Sequence, residues 1–150
     1  MAAALAAVTL VAAACGDGEA DAPARSATSG PARDLVVSAG GRAVSLTPAG
    51  GCVREADRVV CGDPPAPRCT DPALPRIPLA PGAALAMEFP ERPRRVEATL
   101  GPGAPLRERP ATATVTWRPA VAPAGPSPLL VLADLTMGRL TYTACVVPSG

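Results

Sequence analysis

Proline limits this chain more than any other residue: twenty of its 150 residues are proline. Each fixes φ, lacks an amide hydrogen and interrupts any helix it enters. From Asp34 onward the apolar residues recur with a period of two, the spacing of a strand with one buried face. Val44 and Leu46 alternate with Ser45 and Thr47, Leu85, Met87 and Phe89 with Ala86 and Glu88, and Val96, Ala98 and Leu100 with Arg95, Glu97 and Thr99. The same alternation links Val115 and Trp117, then Leu129 to Met137, then Leu140, Tyr142, Ala144 and Val146. Leu35 to Val37 and Arg58 to Cys61 are shorter candidates. Turn chemistry separates these runs at Gly40-Gly41, Pro48 to Gly51, Pro81-Gly82, Gly101 to Gly103, Pro123 to Pro128 and Met137-Gly138. The expectation is an all-β domain of about seven strands, arranged as a two-sheet sandwich rather than a barrel.

Its core must be thin. Apolar residues make up 48% of the chain, but much of that is alanine, and Phe89, Trp117 and Tyr142 supply the whole aromatic content. Burial contributes roughly 25 cal/mol per Å² of apolar surface, so covalent cross-links are a sensible supplement. Cys52, Cys61, Cys69 and Cys145 form an even set with three possible connectivities. Cys52 with Cys61 would close a hairpin-sized loop, and Cys69 with Cys145 would pin a proline-rich segment to the last strand; these are the favoured pairs. Zinc sites use closely spaced pairs such as C-x₂-C, which these spacings lack, so no metal is expected. The missing C-x-x-C also removes thiol redox catalysis.

The N-terminus carries the clearest functional signal. Ala2 to Ala14 is an uncharged run of thirteen, too short to span a bilayer as a helix but suited to the apolar part of a secretory signal. It ends at Ala12-Ala13-Ala14-Cys15-Gly16, which resembles the lipobox of bacterial lipoproteins. That resemblance implies export, diacylation of Cys15 through its sulfur, and Cys15 as the mature N-terminus. No Arg precedes Arg25, and a start upstream of Met1 would supply the basic residues that such signals carry. Gly16 to Arg33 is small and polar, with scattered charge and almost no apolar residue but alanine. It reads as a flexible tether. The expected organisation is a signal over residues 1–14, a lipidated cysteine and tether over 15–33, and a β domain over 34–150.

Composition narrows the function classes. A formal net charge of +1 gives no field that would draw the chain to nucleic acid. All fourteen basic residues are arginine, and His and Lys are absent; the commonest general base, metal ligand and Schiff-base amine are therefore missing. Arg92, Arg94 and Arg95, with Arg107 and Arg109 on the next connection, form a local basic cluster interleaved with Glu91, Glu97 and Glu108. Such a cluster suits anionic headgroups or an envelope polymer, and a solvated mixed surface equally. Glu55 with Asp57, or Glu88 with Glu91, offers paired carboxylates for a hydrolase if both face one cleft. Pro64-Pro65-Ala66-Pro67 suits an aromatic groove or a rigid loop, and Arg68 beside Cys69 has the look of a protease-inhibitor loop.

Ser45-Leu46-Thr47-Pro48 ahead of Cys52, and Cys61-Gly62-Asp63-Pro64-Pro65 after it, resemble the cysteine hairpin of small immunoglobulin-like lipoproteins of high-GC bacteria. The resemblance implies an immunoglobulin-like sandwich without a known activity, and it brings no site residues. The reading is a monomeric, non-enzymatic envelope module on the extracytoplasmic face, anchored through Cys15 and without a cofactor. It would bind an envelope protein or polymer, with Arg92, Arg94 and Arg95 as the candidate patch. The alternatives are an extracytoplasmic hydrolase using paired carboxylates and a small-ligand carrier.

Overall fold

A computed structural model describes residues 33–101 and 103–150. Residues 1–32, with the expected signal, Cys15 and nearly all of the tether, lie outside the described residues, as does Pro102. The described chain is all β, with eleven strands in two sheets. They are β1 (Leu35–Ala39), β2 (Arg42–Leu46), β3 (Gly50–Glu55), β4 (Arg58–Gly62), β5 (Arg76–Leu79), β6 (Leu85–Glu88), β7 (Arg95–Leu100), β8 (Leu106–Glu108), β9 (Thr114–Trp117), β10 (Ser127–Leu135) and β11 (Gly138–Pro148).

Sheet A has the order β2-β1-β6-β9, all antiparallel. Sheet B runs β4-β3-β11-β10-β7-β8, with β5 added in parallel to the C-terminal half of β11. Strand β11 is long enough to serve two neighbours in turn. Gly138 to Thr141 pair with β3, and Cys145 to Pro148 pair with β5. The inward alternation of both sheets meets in one apolar core. Leu35, Val37, Met87, Val115 and Trp117 enter it from sheet A, and Val96, Leu129, Val131, Tyr142 and Val146 from sheet B. Trp117, Phe89 and Tyr142 are all buried, Tyr142 completely.

Eleven strands replace the expected seven or so, because three of them lack the alternation by which the others are read. Strand β3 opens on Gly50-Gly51, which the sequence presents as part of a turn. The reason for glycine there is close approach: a Cβ on Gly51 would stand 2.1 Å from the Arg139 carbonyl oxygen, and one on Gly138 2.1 Å from that of Cys52. Both have positive φ, and each lies against the backbone of the other strand, Gly51 opposite Leu140 and Gly138 opposite Val53, so the two glycines let β3 pair with β11 where any side chain would collide. Gly138 accordingly belongs to a strand, and the turn before it is Thr136-Met137. Strand β5 is short and contains Pro78, and it pairs in parallel only through β11. Strand β8 has three residues on an edge.

In β11 the alternation fails for a different reason. Thr141 and Cys145 are buried along with Leu140, Tyr142, Ala144 and Val146. The proline-rich segment after β4 crosses the outer face of sheet B and covers them, as the residues lining the grooves beside it show. By contrast, every residue of β4 is exposed, with Val59 at 62% and Val60 at 40%. Within the β3–β4 hairpin, β3 packs Val53 against the core while β4 stands outside it.

Candidate functional site

Strand pairing fixes which connections share an end of the domain. At one end lie Arg33 and Asp34 before β1, the β6–β7 connection, the β8–β9 connection and the β10–β11 turn. They are stitched together by the phenol of Tyr142 donating to the Arg33 carbonyl (2.8 Å), by Phe89 N–H donating to Ala113 and by Arg94 N–H donating to Asp134. The Glu91 carboxylate accepts the backbone N–H of Thr136. Since the described chain begins here, this is the entry end. The tip of the β3–β4 hairpin joins it through Arg54 N–H to the Met137 carbonyl. At the far end lie the β1–β2 turn and the connections before β6, after β7 and after β9, with Ser149 N–H bonded to Leu79 and Gly101 N–H to Pro128.

Four cysteines are paired. Cys52 joins Cys61 directly across β3 and β4, nine residues apart in sequence, and Cys69 joins Cys145 over 76 residues. These are the pairs favoured by spacing. The two bonds sit in different surroundings: Cys52 and Cys61 are exposed, whereas Cys145 is fully buried. The second bond holds the proline-rich segment on sheet B, helped by Arg76, whose guanidinium donates to the Cys69 carbonyl (3.2 Å). Between that segment and the sheet runs a groove of about 430 Å³, walled by Pro64 to Pro67 and floored by Leu130, Leu132 and Thr141, with Arg139 at its side. Leu130 and Leu132 occupy the mixed outward face of β10, and sequence periodicity alone gives no sign that a loop reaches them. Arg68 is exposed beside a neighbouring groove with Thr70, Asp71 and Leu74.

The basic cluster divides. Arg95 forms an ion pair with Glu97, which stands opposite Arg107 in the β7–β8 ladder. Asp134 takes Arg139 in a two-point contact (2.6 and 3.1 Å). That hydrogen bond chiefly holds the Asp134 carboxyl below its ordinary pKa, against partial burial, with Arg139, Arg95 and Arg94 adding charge attraction. Arg92, Arg94 and Arg109 are exposed at the entry end. No carboxylate forms an ion pair with them among the described residues.

The acid pairs considered for hydrolysis sit apart in character. Glu55 ends β3 and Asp57 lies in the β3–β4 turn, with Glu55 in contact with Arg58 (3.8 Å). Glu88 is exposed at the end of β6, while Glu91 is half-buried and committed to Thr136. Among the described residues no three acids or cysteines cluster as metal ligands. At the far end the β9–β10 connection and Leu100 enclose a groove of about 460 Å³ lined by alanine, glycine and proline, where Val121 is 71% exposed. Comparison of the chain with protein-family models, with curated proteins and with solved structures finds no match.

Proposed function

We propose that this chain is an exported lipoprotein of the cell envelope, anchored through Cys15, whose immunoglobulin-like domain acts by binding rather than by catalysis. The observation that carries the reading is the pair of disulfides. Such bonds form and persist in oxidising compartments, the destination that Ala2 to Cys15 specifies on the lipobox resemblance. The topology from β5 onward supports the immunoglobulin-like part. Strand β6 pairs with β9, and β7, β10 and β11 lie side by side, the relation of strands B with E and of C, F and G in that fold. On this reading β1 to β4 are an N-terminal addition. The buried Trp and Tyr fall on β9 and β11, not on strands C and F, so this variant is built on other packing residues.

The non-catalytic part rests on a chain without His or Lys. It rests also on carboxylates engaged in turns and surface ion pairs. The test is lipidation in a bacterial host, from a start that supplies a basic n-region. Wild-type protein should incorporate palmitate and partition into detergent, and Cys15→Ala should do neither. Equal labelling and fractionation of the two would overturn the anchor.

A further inference from the structure

Arginines are concentrated at the entry end of the folded domain, where Asp34, Glu88 and Asp134 also stand. At the far end the connecting sequences 80–84 and 101–105 contain no charged residue, and two separate arginines stand there, Arg118 after β9 and Arg42 after the β1–β2 turn. At the entry end, residues 89–95 and 108–113 carry four arginines and two glutamates. Both glutamates, Glu91 and Glu108, are half-buried, and Glu91 is bonded to Thr136. Arg95 is engaged by Glu97, whereas Arg92, Arg94 and Arg109 project from two adjacent connections. Backbone pairing keeps those connections together: Val96 stands opposite Glu108, and Phe89 is bonded to Ala113.

We infer that the entry end is a membrane-facing surface on which Arg92, Arg94 and Arg109 bind the phosphate groups of anionic lipids. The inference deepens the anchored-lipoprotein reading and rests on it for orientation. The chain that would connect Cys15 to the domain enters at Arg33, whose carbonyl is held by Tyr142 at this same end. The end nearest the anchor is therefore the one where three exposed guanidinium groups, outside any ion pair among the described residues, lie on two adjacent connections. A guanidinium offers a planar fork of donors that matches phosphate oxygens. An arginine close to an anionic bilayer contributes roughly fivefold to partitioning. The far end, with its proline and alanine connections, exposed Val121 and only the separated Arg42 and Arg118, is then turned away from the bilayer.

The experiment is vesicle co-sedimentation of the full chain carrying Cys15→Ser, so that no acyl chain contributes. Binding should appear on phosphatidylcholine vesicles containing phosphatidylglycerol, be weak on phosphatidylcholine alone, and weaken as salt rises. The triple variant Arg92→Ser, Arg94→Ser, Arg109→Ser should lose about a hundredfold, at roughly fivefold per arginine. A charge-matched variant, Arg42→Ser, Arg68→Ser, Arg118→Ser, alters exposed arginines elsewhere and should bind as the parent does. Thermal melting of all three proteins checks that each is folded. Equal loss in both variants, or none in the first, would overturn the proposal. So would abolition of binding by inorganic phosphate at a concentration matching the lipid phosphate, since the site would then serve a free anion. Because the assay contains no lipidated protein, its outcome is separate from palmitate labelling in cells. Vesicle binding without labelling would remove the anchor and keep the patch, and labelling without vesicle binding would do the reverse.

Discussion

Tyr142 is the only tyrosine of the chain, and its environment makes it a reporter of folding. Burial raises the pKa of its phenol well above the ordinary value, with the negative charges of Asp34 and Glu91 adding to the rise. The folded state therefore keeps a proton that the unfolded chain releases near pH 10. Stability from this group is fully present below that pH and falls as pH rises toward the folded value, at up to roughly 1.4 kcal/mol per pH unit. Lysine is absent and arginine stays charged throughout, so the alkaline loss belongs to one residue. Denaturant melts of the wild type should show a decline beginning near pH 10, followed by absorbance of the phenolate. Tyr142→Phe should cost about 1 kcal/mol at neutral pH, for the hydrogen bond to Arg33, and should flatten the alkaline limb. An unchanged alkaline slope in the variant would refute the assignment.

At the scale of elements, the two disulfides divide the labour unequally. The Cys69–Cys145 bond closes a long loop and the Cys52–Cys61 bond a short one. On the chain-entropy model the first contributes about 4.5 kcal/mol and the second about 2.5 kcal/mol. Strand β4 supplies no residue to the core, so Cys52→Ala with Cys61→Ala should leave a cooperative domain that is modestly weakened. Cys69→Ala with Cys145→Ala should lose more, and should make the outer face of β11 accessible to amide exchange while β10 stays protected. Equal losses, or faster exchange in β4 alone, would contradict this. The same elements show what was legible in the chain. The strands with clean alternation, β6, β7, β9 and β10, were readable because one face is wetter and the other dry. Strand β3 was not, because its glycines answer to the backbone of β11 opposite, a contact distant in sequence. The burial of Thr141 likewise depends on a loop some seventy residues earlier. In the candidate site, the arginines were legible as a cluster. The removal of Arg95 from it by Glu97 and the place of Glu108 follow from strand register, and the engagement of Glu91 from its contact with Thr136, far away in sequence.

For the whole molecule, the order of strands in sheet B matters more than their number. The last strand in the chain, β11, lies inside the sheet, with β10 on one edge and β3 and β5 sharing the other. It also carries Cys145, the anchor for the proline-rich segment. Removing residues 138–150 should therefore abolish folding rather than trim it. The shortened chain should show no cooperative transition by circular dichroism, and a residual sharp transition would mean that the other strands form a core alone. The central position of β11 also sets an order for folding during synthesis. In a chain made from its N-terminus, β3, β5 and β10 are complete before the strand that joins them. Sheet A can form from β1, β2, β6 and β9 in the meantime, but sheet B closes only once residues 138–148 are made.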